Sequence, residues 1–279
     1  MSGILYVTGT PIGNLEDITM RAVRILTEAD FIAAEDTRVT RGLLAHFDIH
    51  TPLVSCNEHS TPQVIAGIAD RIEAGENCAV VTDAGMPCIS DPGEKLVRAC
   101  RERGIRVEAV PGPSAVVTAL SVSGGSTAQF SFYAFLPADK KQKKQREEML
   151  QALAHERKTC ILYEAPHRLR QTLSDLERTL GGERMISLCR ELTKLHEEVL
   201  RFPLQEAVAY YETNEPRGEF VLVLDGAPEE QTLLTLEDAV SMANAYIAQG
   251  MSGSAAAKLA AKETGISKSD IYRELHRES

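Results

Sequence analysis

Three glycine- and proline-rich turns hold the residues best suited to gripping a ligand. They read Thr8-Gly9-Thr10-Pro11-Ile12-Gly13, Asp83-Ala84-Gly85-Met86-Pro87 and Pro111-Gly112-Pro113-Ser114-Ala115. Glycine lets a backbone approach a bound molecule closely, and proline fixes a loop at little entropic cost. Each turn follows a strand-like run, and open α/β sheets bind ligands in the crevice beyond the carboxyl ends of their strands. Any one of them alone reads as an ordinary strand–helix turn. Three together, with polar groups beside glycine, point to a binding site. Two further segments carry useful charge. Glu35-Asp36-Thr37-Arg38 offers carboxylates and a guanidinium, and Lys140, Lys141, Lys143, Lys144 and Arg146 form a basic run. That run fits an arm on nucleic-acid phosphates. On its own residues the run favours a solvated helix start balanced by Glu147 and Glu148, and an RNA substrate would favour the arm.

Other chemistries lack their residues. No GxGxxG and no GxxxxGK[ST] occurs, which removes support for nicotinamide dehydrogenases and P-loop nucleotide hydrolases. Serine hydrolysis lacks a GxSxG elbow. The seven histidines form no metal-spaced cluster, so no metal site is expected. The six cysteines, Cys56, Cys78, Cys88, Cys100, Cys160 and Cys189, are scattered without a CxxC pair. They read as reduced, mostly buried thiols of a cytosolic protein rather than a disulfide framework.

The elements that must position these turns alternate between strand and helix. Ile4–Thr8, Phe31–Ala34, Cys78–Thr82 and Val107–Val110 read as strands. A helix carrying Ile18, Ala22, Ile25 and Leu26 on one face follows the first, with further helices over Gln63–Ala74 and Glu94–Arg103. The alternation predicts an α/β domain with a largely parallel sheet, spanning residues 1–118. Ser121–Ser126 reads as a linker or hinge. A second α/β domain over 119–226 follows, with strands at Phe130–Phe135, Thr159–Tyr163, Met185–Cys189 and Phe220–Leu224 and helices at Lys140–Glu156 and His167–Leu180. After a break at Ala227–Gln231, residues 227–279 form a helical tail. Its Ser254–Lys262, Gly265 turn and Lys268–Arg277 resemble a helix-turn-helix, or a plain hairpin used for packing. Ser267 is the expected N-cap of the last helix. Lys258, Lys262, Lys268, Arg273 and Arg277 are its candidate RNA contacts.

The chain has 279 residues and a formal net charge of −10, which argues against bulk coating of nucleic acid. The charge is unevenly divided. Residues 1–118 hold 10 basic and 16 acidic side chains, residues 119–226 hold 15 and 16, and residues 227–279 hold 5 and 8. The middle unit is therefore the place for an anionic ligand. There is no Trp and aromatics make up 5%, so an aromatic stacking platform for single-stranded RNA has little support. The apolar start Ile4-Leu5-Tyr6-Val7 lacks a basic flank and reads as a strand, not a signal peptide, and no apolar run is long enough to span a membrane.

Several motifs stand together in order. Gly9-Thr10-Pro11-Ile12-Gly13-Asn14-Leu15, Glu35-Asp36-Thr37-Arg38, Asp83-Ala84-Gly85-Met86-Pro87, Ile89-Ser90-Asp91-Pro92-Gly93 and Pro111-Gly112-Pro113-Ser114-Ala115 come first. Phe135-Leu136-Pro137, Tyr163-Glu164-Ala165-Pro166-His167-Arg168 and Arg190-Glu191-Leu192-Thr193-Lys194 continue the order. Over roughly residues 3–226 this resembles the ribosomal RNA ribose methyltransferases, a branch of the tetrapyrrole-methylase superfamily. The first loop departs from the GxGPGD type common in the superfamily, which separates the chain from the porphyrinoid methylases.

The resemblance implies a two-domain class III methyltransferase, with S-adenosylmethionine folded in the cleft between the domains. It implies 2′-O-methylation of a cytidine in the decoding region of small-subunit ribosomal RNA, within the assembled subunit, by a cytoplasmic homodimer. Neither DNA nor a membrane is an expected partner. A tetrapyrrole-precursor methylase and a non-catalytic RNA-binding or ribosome-assembly module are the alternatives. Pro11, Asp83, Met86, Ile89, Ser114 and Ala115 carry over as cofactor-pocket residues, and Asp83 or Asp91 would hold the cofactor's ammonium or ribose. A ribose hydroxyl is a weak acid, so a nearby charged group is expected to take or guide its proton. Asp36 is the first candidate for that carboxylate, with Glu191 and Lys194 the others. Lys194 is suited to stabilising a forming alkoxide. Arg38, Lys140, Lys141, Lys143 and Lys144 are the candidate RNA-phosphate contacts. For each charged residue a structural ion pair is the competing role. Glu58 and His59 have weaker claims.

Overall fold

The computed structural model describes residues 2–228 and 235–277, and for Lys140 the backbone alone. Most of the expected break after Ala227 lies outside the described residues. The chain divides into two compact units, Met1–Ala227 and Pro228–Ser279.

The first unit opens with a five-stranded parallel sheet. Its strands are β1 (Ile4–Thr8), β2 (Phe31–Ala34), β3 (Leu53–Ser55), β4 (Cys78–Val81) and β5 (Arg106–Val110), in the order β3-β2-β4-β1-β5. The short apolar strands β2 and β4 are buried on both faces, as parallel strands must be. Alternate residues serve opposite layers. Phe31, Ala33, Cys78 and Val80 meet Ile65, Ile68, Ile72, Leu96 and Cys100 of α3 (Pro62–Glu73) and α4 (Glu94–Glu102). Ile32, Ala34, Ala79 and Val81 meet Ala22, Ile25, Leu26 and Leu44 of α1 (Met20–Glu28) and α2 (Thr37–His46). Thr19 and Thr61 cap α1 and α3 through their hydroxyls, and Pro62 sits at the first turn of α3, where its missing N–H costs nothing. Neither α2 nor β3 is legible in the sequence pattern. The helix starts inside the charged Glu35–Arg38 segment, and the strand is only three residues long.

Helix α5 (Ala115–Val122) follows β5, so the expected boundary at 118/119 falls inside a helix. Its Val116, Ala119 and Leu120 pack on Ile161, Cys189, Val221 and Val223 of a second sheet. The Ser121–Ser126 stretch is no free linker. The Ser187 hydroxyl donates to Ser123 O at 2.7 Å, and the Thr159 hydroxyl to Ser126 O at 2.6 Å.

The second sheet contains β6 (Phe130–Phe135), β7 (Thr159–Glu164), β8 (Met185–Arg190), β9 (Glu198–Pro203) and β10 (Phe220–Leu224), ordered β6-β7-β10-β8-β9. Only β6 and β7 run parallel. Helices α6 (Lys143–His155), α7 (Pro166–Leu180) and α8 (Leu204–Thr213) cover the face opposite α5 with Leu150, Leu153, Leu169, Leu173, Leu176 and Leu204.

The second unit is a three-helix cluster of α9 (Leu236–Ala248), α10 (Gly253–Thr264) and α11 (Lys268–Leu275). Small side chains, Ala239, Ala243, Ala256, Ala257 and Ala260, let the helices approach around Ile271 and Leu275. Thr235 and Asp238 form a capping box at the start of α9, and Gly265 ends α10 in the left-handed conformation. Ser267 holds the N-cap position of α11 without a capping bond, since its hydroxyl pairs with that of Ser269. Of the tail's basic residues, Lys268 donates to Ser254, Arg273 pairs with Asp270, and Arg277 pairs with Glu274. No described helix is long and apolar enough to cross a membrane.

Candidate active site

The carboxyl ends of β1, β4 and β5 deliver the three turns to one place. Gly9 N donates to Val110 O at 3.1 Å, and Thr10 exchanges two backbone bonds with Gly85, at 2.9 and 3.1 Å. The backbones of Gly9 and Gly112 touch, because a Cβ on Gly9 would lie 2.8 Å from Gly112 Cα. Gly85, with φ +83°, turns the β4 loop back beneath them. The following loop is strained at two non-glycine positions, Cys88 (φ 72°) and Ser90 (φ 63°). Such backbone persists only where its surroundings enforce it, and it concentrates at functional sites. It leaves Ile89 and Asp91 on the wall of a cavity of about 350 Å³.

The second sheet and the loops beside it supply the facing wall. Phe135, Tyr163, Glu164, Ala165, Pro166, Cys189, Leu192, Glu219, Phe220 and Val221 oppose Ile12, Gly85, Met86, Ile89, Asp91, Ser114 and Ala115. Gly13 permits the closure. A Cβ there would lie 2.5 Å from Lys194 Cγ and 3.0 Å from Leu192 O.

Five of the seven expected cofactor residues, Met86, Ile89, Asp91, Ser114 and Ala115, line this cavity. Pro11 is buried beneath its loop, and its neighbour Ile12 takes the wall position. The Asp83 carboxylate accepts from Asp36 N at 3.1 Å, tying the β4 loop to the β2 loop outside the cavity. Burial, then the charges of Glu35 and Asp83, push the Asp91 carboxyl up to about 6. Burial also raises Glu35, with Asp83 N–H opposing and Asp83, Glu58 and Asp36 adding to it. Burial and then the Asp91 charge push the Tyr163 hydroxyl up to about 12.

The expected catalytic and RNA-binding residues lie around the cavity rather than in it. Asp36 is the N-cap of α2, where its carboxylate accepts from Arg38 N at 2.8 Å and pairs with the Arg38 guanidinium at 2.6 Å. Those bonds hold it at about 2, which makes it a weak base. Arg38 is correspondingly paired, though 85% of its side chain is exposed. Lys194 Nζ donates to Glu191 at 2.9 Å and to Glu219 at 2.7 Å, and Glu219 lines the cavity. Desolvation opposes the Lys194 charge, but its bonds to Glu219 and Glu191 outweigh it and raise its pKa. Glu191 is likewise desolvated, yet Lys194 and Glu219 N–H hold it below the usual carboxylate range.

The basic run forms a 3-10 turn and the first turn of α6. Lys141, Lys143 and Lys144 are exposed, with Lys144 3.7 Å from Glu148, and the Lys140 side chain lies outside the described residues. Arg146 is a structural member of the run. It is bonded to Asp175, Pro137 O and Thr172. Glu58 accepts a bond from Lys95 through its backbone, and His59 sits in an exposed turn. All six cysteines are free and five are buried. Among the described residues no group of three or more His, Cys, Asp or Glu is placed to hold a metal.

Sequence reasoning gave no role to Phe135, Tyr163, Glu164 or Glu219. The first three stand in quoted motifs, but only the second sheet's topology brings them opposite the glycine loops.

A family model described as Tetrapyrrole (Corrin/Porphyrin) Methylases matches residues 4–208. A Ribosomal RNA small subunit methyltransferase I from Synechocystis is 46% identical over 97% of this chain and 96% of its own length. Another of that name, from Halalkalibacterium halodurans, is 47% identical over 99% of this chain and 96% of its own. The crystal structure of Uroporphyrin-III C-methyl transferase from Thermus thermophilus, complexed with S-adenyl homocysteine, shares the fold. Its TM-score is 0.56 at 18% identity, over 79% of this chain and 97% of that one. The chain belongs to the tetrapyrrole methylase family, in the branch of the ribosomal RNA small subunit methyltransferases I.

Proposed function

We propose that the protein transfers a methyl group from S-adenosylmethionine to the 2′-oxygen of a cytidine in small-subunit ribosomal RNA, in the decoding region. The observation that carries this reading is the convergence of Met86, Ile89, Asp91, Ser114 and Ala115 with the Tyr163–Pro166 segment around one cavity. The names of the relatives, which match this chain over nearly its full length, support the RNA substrate. The assembled subunit as substrate, a homodimer and action in the cytoplasm belong to the same reading.

The lining suits S-adenosylmethionine. The cavity combines apolar walls with three carboxylates, of which Glu164 is engaged by Arg168 and Thr172 and Glu219 by Lys194, while Asp91 is the one with a raised pKa, and Gly85 lines the wall without a side chain. When bound, the cofactor supplies a methyl on a positively charged sulfur. Asp91, backed by Glu35 and Asp83, favours a cationic ligand over a neutral one. Backbone groups of the Gly85–Met86 and Ser114–Ala115 segments are placed to bond its polar ends. The buried Leu192 and Val221 keep water from that part of the wall, which strengthens each charge interaction inside. Lys194, held charged by Glu191 and Glu219, is the cation for negative charge developing on the ribose oxygen. With Asp36 engaged as a cap, the Glu191–Lys194–Glu219 cluster is the stronger candidate for handling the hydroxyl.

The acidic wall sets a pH dependence. Asp91 has a raised pKa, so it is ionised above about 6 and neutral below. Affinity for the cationic cofactor is expected to fall as pH drops through that point, more than affinity for the neutral demethylated product. Calorimetric titrations between pH 5 and 8 check this, and Asp91→Asn should flatten the profile. An unchanged profile in that variant would remove Asp91 from the account.

The lysines at the start of α6 give a separate expectation. Changing Lys141, Lys143 and Lys144 to Ala should weaken RNA binding. It should also reduce the magnitude of the salt slope by about 2 to 3, one for each lost phosphate contact. Cofactor affinity should be untouched. Equal affinity and slope would show these lysines to be solvated helix-start residues.

The reading as a whole is tested by incubating the protein with methyl-labelled cofactor and small ribosomal subunits lacking the modification. Label should enter the RNA. Label entering only a tetrapyrrole precursor would establish the small-molecule reading instead, and no transfer to either would favour a binding module.

A further inference from the structure

One aromatic ring at the cavity stands half exposed at the end of its strand. Phe135 closes β6 at the cavity wall with 48% of its surface exposed. Alternation along a regular strand would put residues 130, 132 and 134 on one face and 135 on the other. Instead, Phe132 pairs with Ile161 and Phe135 with Tyr163, so three residues of β6 advance against two of β7. The extra residue is a bulge, and Ala134 within it has φ +54°. Bulges re-aim side chains, and a non-glycine residue in the left-handed region is strained. Here the bulge returns Phe135 to the face of Phe132 and Tyr163. Tyr163 lies between them, 5.0 Å from the Phe132 ring and 5.5 Å from that of Phe135. The result is a fixed aromatic row whose last ring faces the cavity.

The segment after Phe135 is clamped to the basic helix start. Arg168 donates to Leu136 O, and Arg146 donates to Pro137 O at 3.1 Å. Arg146 also bonds Asp175 and Thr172, and Thr172 donates to the buried Glu164 carboxylate. The exposed Lys141, Lys143 and Lys144 therefore sit on the same rigid piece as the ring. A stacking ring joined to a cationic stretch is the pairing that grips single-stranded nucleic acid, with the base on the ring and phosphates on the charges.

We propose that Phe135, re-aimed by the Ala134 bulge and propped by Tyr163, is the stacking platform for the unstacked base of the RNA nucleotide to be methylated. The low aromatic content of the chain speaks against a track of rings, but one ring is enough to hold one base. The proposal rests on an RNA substrate. It adds the residue that seats the base and orients the attached ribose.

Phe135→Leu keeps an apolar side chain at a half-exposed position and removes the flat face. With labelled cofactor and small subunits lacking the modification, kcat/KM for the subunits should fall about tenfold, the size of a lost base–aromatic stack. Cofactor affinity should stay within twofold. Phe135→Tyr and Phe135→Trp should retain near wild-type values, which a merely space-filling role does not predict for Trp. Unchanged kcat/KM in Phe135→Leu would overturn the proposal. So would a tenfold loss of cofactor affinity, which would put the cofactor's adenine on the ring instead. Absence of transfer by the unaltered protein would overturn the RNA reading itself, and this inference with it.

Discussion

Gly9→Ala is expected to raise the dissociation constant for S-adenosylmethionine at least tenfold and to lower the thermal midpoint. The added Cβ would lie 2.8 Å from Gly112 Cα and 2.9 Å from Gly112 N, and 2.7 Å from the Met86 sulfur. Met86 can move, but the β5 turn cannot yield without carrying Ser114 and Ala115 away from the cavity wall. Overpacking of this kind costs about 1–3 kcal/mol. The loss falls largely on the ligand because the turns themselves form the site. Gly67→Ala provides the contrast. Gly67 lies within α3 with open space around its Cα, so alanine there should stabilise the protein by about 1 kcal/mol and leave binding unchanged. Isothermal titration and thermal unfolding of the two variants separate the effects. Normal cofactor affinity in Gly9→Ala would show that the cofactor does not depend on the closed Gly9–Gly112 contact.

Lys194→Met should lower kcat by about 100- to 1,000-fold with little change in cofactor affinity. That is the usual size of losing one group aimed at a developing oxyanion. Its two carboxylate partners keep Lys194 charged at neutral pH, which suits it to stabilise an alkoxide and not to accept a proton. Removing it leaves the Glu191 and Glu219 carboxylates without their shared cation. Lys194→Arg is therefore needed as the charge-preserving comparison, with single-turnover rates measured for both. A rate in Lys194→Met within a few-fold of wild type would assign the Glu191–Lys194–Glu219 cluster to domain closure alone.

Much of this site is legible in the residues because glycine and proline punctuation marks strand ends. The turns after β1, β4 and β5 stand at the predicted positions, and the parallel sheet follows from the alternation of apolar runs. Less legible is what each carboxylate does. Asp36 has the residue type of a base, but it stands at the N-cap of α2, so its charge goes to the cap and to Arg38. Arg146 looks like one more cation in a basic run, but its partners lie 26 and 29 residues on, which only the packing of α6 on α7 reveals. Phe135 is hidden for another reason. A one-residue bulge reverses the face of every side chain beyond it, and nothing in the local pattern announces the insertion.

The central claim is that the methyl group goes to a ribose oxygen of small-subunit RNA. After reaction with labelled cofactor, the RNA is digested to nucleosides and analysed by mass spectrometry. A single labelled nucleoside is expected, 2′-O-methylcytidine, whose 3′ phosphodiester resists alkaline cleavage before digestion. Label on a nucleobase, or on a nucleoside whose phosphodiester remains alkali-labile, would contradict it.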